Sequence, residues 1–90
     1  LLLLARQTAL EKVAAFLVEM DRRTGRPPVV VLPMNRRDIA DYLGLTLETV
    51  ARALSTLRDE GILSRIGQMQ REIVLHDRHR LERRAESSDL

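Results

Sequence analysis

The chain has no cysteine, which excludes a disulfide framework, thiolate chemistry and cysteine-based zinc sites within these residues. Aromatic side chains are almost as scarce: Phe16 and Tyr42 are the whole supply. Stacking platforms for single strands or RNA need several aromatic faces, so that class is disfavoured, as are aromatic-lined cofactor pockets. The longest clear apolar block is Leu1–Ala5, far short of a membrane span. With no basic lead and no small-residue cleavage site it is not a signal peptide. The expected setting is the cytoplasm, with no membrane partner. A phosphate-cradling glycine loop and a nucleophile elbow are both missing. His76 and His79 sit three apart with no third ligand at a metal spacing, and read as surface residues. No catalytic group, metal or cofactor is expected in this stretch, and an enzyme is not expected.

What is present is one small domain. Ninety residues are 44% hydrophobic, close to the globular norm, but a core of this size is only marginally self-sufficient. The net charge is just +2, too weak to identify a polyanion partner. The kind of cation says more, because Lys12 is the only lysine and the rest is arginine. Arginine suits phosphate and guanine edges. It clusters at Arg22, Arg23 and Arg26, at Arg36 and Arg37, and at Arg78, Arg80, Arg83 and Arg84. Two readings stand at this point: a nucleic-acid-facing surface, or a solvated surface laced by salt bridges.

Thr8 followed by Glu11 is a capping box. Leu10, Val13, Ala14, Leu17 and Met20 then recur on one helical face, until Arg22, Arg23, Gly25, Pro27 and Pro28 end the helix. Val29–Leu32 reads as a brief strand stopped by Pro33. Asn35 caps a second helix carrying Ile39, Ala40 and Leu43 and ending at Gly44. Thr46 caps a third, running to about Glu60 before Gly61. Ile62–Ile66 and Glu72–Leu75 are strand-like, with a polar turn from Gly67 to Gln70 between them. Asp77 caps a last, arginine-rich helix.

The middle of this order is the informative part. Ala40 is small where two helices must meet, Gly44 allows the positive φ of a sharp turn, and Thr46 caps the next helix. Val50, Ala53, Leu54 and Leu57 form that helix's buried stripe. Together these spell a helix-turn-helix, and the hairpin that follows adds a wing. The fold class is mainly α with a small β-hairpin (α+β), a winged helix-turn-helix.

With the stripe turned inward at about 100° per residue, Glu48, Arg52, Ser55 and Asp59 face outward and Ala51 lies on the flank. In helix-turn-helix proteins the start of the second helix meets base edges in the major groove. Arg52 can grip guanine O6 and N7, Glu48 can accept from a cytosine or adenine amino group, and Ala51 can lie against a thymine methyl, with Leu47 beside them. Glu48 and Arg52 also stand at ion-pair spacing, which would pre-position the arginine fork. Phosphate anchoring is expected from Asn35, Arg36 and Thr46 at helix N-termini that attract anions, from the hydroxyls of Thr46 and Thr49, from Ser55, and from Gln68 and Arg71 at the wing. Asp59 and Glu60 would repel phosphates, so only the first half of the helix should enter the groove. The alternative is a winged-helix module that binds protein and not DNA, though such a surface is usually apolar or acidic where this one carries Arg52.

The run from Leu32 to Leu54 resembles the C-terminal DNA-binding domain of CRP/FNR transcription regulators, most of all the FixK and FNR branch, and the similarity extends from Leu3 to about Leu75. The resemblance implies that residues 1–7 are the end of a dimerisation helix and a hinge, that 8–76 form the winged domain, and that 77–90 are a basic helix and tail. It also implies a missing sensor domain with an unknown ligand, a homodimer in the full-length protein, and double-stranded DNA and RNA polymerase as partners. Thr24–Pro28 would occupy the place of the polymerase-contacting loop. The chain opens on leucines without a methionine and is expected to be a piece of a longer protein. The branch pattern Glu-x-x-Ser-Arg appears here as Glu48-Thr49-Val50-Ala51-Arg52, which implies a TTG-type half-site and a palindrome such as TTGA…TCAA. Ala51 stands where the branch has serine.

Overall fold

The computed structural model describes residues 7–65 and 71–86. Helix α1 spans Ala9–Arg23. The Thr8 hydroxyl accepts from the Glu11 N–H at 3.1 Å, and the Glu11 carboxylate accepts from the Thr8 N–H at 2.8 Å. Two otherwise orphaned donors are satisfied by this exchange. The helix buries Val13, Ala14, Leu17 and Met20 and adds Phe16 to that face, while Leu10 is only half-buried.

Helices α2 (Arg36–Leu43) and α3 (Leu47–Asp59) form the helix-turn-helix. Gly44 lies at φ +71°. Its N–H donates to the Asp41 carbonyl at 3.3 Å, and the Leu45 N–H donates to the Ala40 carbonyl at 2.8 Å. This pair of bonds closes the last turn of a helix around a left-handed residue, and glycine alone takes that conformation without a steric cost. Ala40 is buried beneath the turn. The same closure ends α3, where the Ile62 N–H reaches the Leu57 carbonyl and the Gly61 N–H the Arg58 carbonyl.

Strands β1 (Val30–Val31), β2 (Leu63–Arg65) and β3 (Glu72–Leu75) form one antiparallel sheet in the order β1-β3-β2. Val30 pairs with Ile73, and Leu63 with Leu75. The sequence predicts a two-stranded hairpin and a separate brief strand. The structure instead lays that strand on the free edge of β3, where unpaired backbone groups would otherwise face water. The Leu32 N–H extends the ladder to the Arg71 carbonyl at 2.8 Å. Residue 66 and the predicted turn at 67–70 lie outside the described residues.

Helix α4 (Arg78–Ala85) is capped by Asp77, which accepts from the Arg80 N–H at 3.0 Å. It packs across α1 through the buried Leu81. Arg78 fastens the two helices. Its Nε and one terminal nitrogen donate to the buried Asp21 carboxylate at 2.7 and 3.0 Å, and that nitrogen also reaches the Pro27 carbonyl at 2.7 Å. Leu17, Leu57, Ile62, Ile73 and Leu81 meet in one core beneath the sheet and helices.

Candidate nucleic-acid interface

One side of α3 is sealed and the other is open. Val50 and Leu57 are fully buried and Ala53 and Leu54 nearly so. This locks the helix against α1, α2 and β2 and leaves a single direction in which it can present side chains. Glu48 and Arg52 are exposed in that direction, Leu47 is 41% exposed, and Ala51 and Ser55 are half-buried beside them. Leu47 is notable, since a leucine left in water on a helix with an ample apolar face gains nothing for the fold.

The ion pair predicted between Glu48 and Arg52 is not formed. Salt bridges among the described residues do not include it, and neither side chain holds another partner among those residues. The physical reason is scale: an exposed pair of this spacing is worth about 0.3–0.5 kcal/mol, no more than the rotamer freedom two long side chains would lose. The Arg52 fork is therefore uncommitted. Its backbone carbonyl accepts the Thr56 hydroxyl at 3.0 Å, so the turn below is pinned while the side chain is not.

At the start of α3 the Thr46 hydroxyl accepts from the Thr49 N–H at 3.1 Å and donates to the Thr49 hydroxyl at 2.8 Å. Thr46 thus spends its hydrogen internally, and the hydroxyl free to donate outward on this turn is that of Thr49. The N–H groups of Leu47 and Glu48, in the first turn, have no intrahelical acceptor and carry the positive end of the helix dipole. The start of α2 repeats the arrangement, with the exposed Asn35 accepting from the Asp38 N–H at 2.9 Å.

Around these helix starts, two adjacent arginines differ from each other. Arg36 is half-buried, whereas Arg37 is exposed and makes no ion pair or hydrogen bond with the described residues. A helical wheel carries the signal: Arg36 lies three and seven residues before Ile39 and Leu43, on the packed face, and Arg37 falls outside it. Arg71, beside the wing turn, is exposed, and its side chain likewise has no partner among the described residues. Gln68 lies outside them.

The remaining arginine clusters are largely used within the fold. Arg23 pairs with Glu19 at 2.8 Å and Arg22 with the same carboxylate at 3.7 Å. Arg78 holds Asp21. Arg84 holds Glu60 through Nε and a terminal nitrogen at 2.8 and 2.7 Å. The salt-bridged reading applies to Arg22, Arg23, Arg78 and Arg84; among the described residues Arg37, Arg52 and Arg71, around the helix-turn-helix and wing, have uncommitted guanidinium groups, as do Arg26 and Arg83 elsewhere. At the far end of α3, Asp59 is exposed next to Arg58.

His76 and His79 are both exposed, and His76 Nε2 meets the Ser64 hydroxyl at 2.8 Å. Among the described residues no three acidic or histidine side chains gather as a metal site would require, and no helix is long and apolar enough to cross a membrane.

Comparison with known proteins supplies the family. The model of the Crp-like helix-turn-helix domain matches residues 11–84. The nitrogen fixation regulation protein FixK of Azorhizobium caulinodans is 46% identical over 88 residues, covering 92% of this chain and 35% of that protein. The transcriptional activator protein FnrL of Cereibacter sphaeroides is 40% identical over 98 residues, covering 99% of this chain and 39% of that protein. The solved structure of FixK2 from Bradyrhizobium japonicum superposes with a TM-score of 0.83 at 55% identity, across 97% of this chain and 43% of that one. The chain therefore spans well under half the length of the relatives it matches. On its sequence, its winged helix-turn-helix and these matches, the chain belongs to the CRP/FNR family of transcription regulators, as a Crp-like helix-turn-helix domain of the FixK and FNR branch.

Proposed function

We propose that this domain reads double-stranded DNA sequence-specifically, with the first half of α3 in the major groove of a TTG-type half-site, and that two copies in a full-length homodimer read the palindrome. The observation that carries this is the pairing of a locked inner face with an uncommitted Arg52 on the outer one. A guanidinium fork already engaged by Glu48 would have to give up that bond to reach guanine. Here it does not. Arg52 takes the guanine edge, Glu48 accepts from an exocyclic amine, and Leu47 with Ala51 offers an apolar surface to thymine. Thr49, Asn35, Arg37 and Arg71, with Thr46, Ser55, Arg36 and Gln68, fix the register on phosphates. RNA polymerase is a partner of the whole regulator in this reading, and the domain itself performs no catalysis.

The test joins two copies through a leucine zipper added at the N-terminus, because single domains lack the avidity of a dimer. The pair is titrated on a TTGA…TCAA duplex and a scrambled one at several salt concentrations. Arg52→Ala should cost about 1–3 kcal/mol per half-site on the cognate duplex and relax the preference at guanine, with affinity still falling as salt rises. Equal binding of parent and variant to both duplexes would remove Arg52 from base readout.

A further inference from the structure

The exposed face of α4 is a second cationic surface whose use the DNA-reading side does not explain. Arg80, Arg83 and Arg84 line a shallow concavity of about 320 Å³. Glu60 is the carboxylate that meets them, taking the Arg84 fork on its side chain and one Arg80 nitrogen on its carbonyl at 2.9 Å. Arg83 is exposed and holds no partner among the described residues. Among the described residues most of the N–H donors of the three guanidinium groups are left open, while Leu81, Arg78 and the contacts to Glu60 hold the helix.

Its position selects the kind of partner. Glu60 caps the C-terminus of α3, so α3 places this surface about 20 Å from Thr46 and the helix starts that suit phosphate. A duplex seated on those helix starts is held at the other end of α3. A peptide carboxylate suits this end: the Arg84 fork already takes the Glu60 carboxylate through two nitrogens, and successive acidic side chains can span an open concavity. We infer that the Arg80, Arg83 and Arg84 face is a docking surface for an acidic segment of a protein partner, available while the opposite pole holds DNA.

The probe is a fluorescent peptide alternating glutamate and glycine, with a glutamine version as control, titrated into the 90-residue chain by anisotropy at low salt. The glutamate peptide should bind more tightly than the glutamine one. Arg83→Glu should weaken it by about tenfold or more, as expected for reversing a charge at the centre of such a contact. Arg37→Glu and Arg71→Glu, on the other pole, should each leave it within about twofold. Circular dichroism melts establish that each variant folds, and Arg83→Lys, which keeps the charge, should retain most of the binding. Equal binding of the two peptides would overturn the inference. So would a loss as large at Arg37 or Arg71 as at Arg83, because the peptide would then be occupying the DNA-facing side. A loss of duplex binding in Arg83→Glu comparable to that in Arg52→Ala would overturn it in favour of a phosphate contact.

Discussion

Replacing Arg78 with methionine isolates the fastener between α1 and α4. Methionine keeps an apolar stem over Leu81 and removes the guanidinium, so what is lost is three hydrogen bonds of 2.7, 3.0 and 2.7 Å. The Asp21 side chain is only 7% exposed, while that of Arg78 is 34% exposed. The gap beside the pair measures about 10 Å³, at the lower limit of what one water needs, so solvent is a poor substitute partner. Breaking a fully buried pair costs about 3–5 kcal/mol, and the openness of Arg78 to solvent discounts this to about 2–3 kcal/mol. For a domain of this size that is a fall in Tm of about 10–20 °C. Thermal and urea unfolding of the parent, Arg78→Met, Asp21→Asn and the double variant would measure it. The double variant should be more stable than either single one, because no uncompensated charge remains. A loss below about 0.5 kcal/mol in Arg78→Met, or additive single effects, would refute the reasoning.

The same pair makes a statement about pH. The hydrogen bond that Arg78 donates to Asp21 raises the pKa of Arg78 further above its already high ordinary value, against a smaller opposing effect of burial. A raised folded-state value contributes stability that is fully present below the unfolded value and lost only as pH climbs through the folded one. The stability difference between the parent and Arg78→Met should therefore stay flat from about pH 6 to 9, and a steep change in that window would point to another group. Thr46→Ala removes the acceptor for the Thr49 N–H and should destabilise by about 1 kcal/mol in urea unfolding, with weaker duplex binding because the Thr49 hydroxyl loses its orientation. Gly44→Ala meets no atom within 4 Å, so its cost is backbone strain alone, about 1–2 kcal/mol; a neutral result would show that the turn relaxes.

The local part of the fold is legible in the sequence because its determinants lie within a few residues of one another. Thr8 with Glu11, Asn35 with Asp38 and Thr46 with Thr49 are each hydrogen-bonded three residues apart, and Gly44 closes its turn on Ala40 and Asp41. The outward direction of Arg52 follows from the same periodicity. What escapes such reading is the choice among distant partners. Asp21 looks like any acidic residue near a helix end, yet it sits buried against Arg78. Nothing local tells β1 that β3 has a free edge, or tells Glu60 that it will accept Arg84. The Glu48–Arg52 pair fails in the opposite sense: the spacing permits it, and the energy is too small to enforce it.

The bond from the Leu32 N–H to the Arg71 carbonyl ties the base of the wing to the strand that leads into α2. Asn35, which caps α2, follows Leu32 by three residues. On the proposed reading, a duplex gripped at Arg71 and at the start of α2 meets two points linked through that bond, and sequence that deforms easily between them would be favoured by a hydrogen bond that never touches a nucleotide.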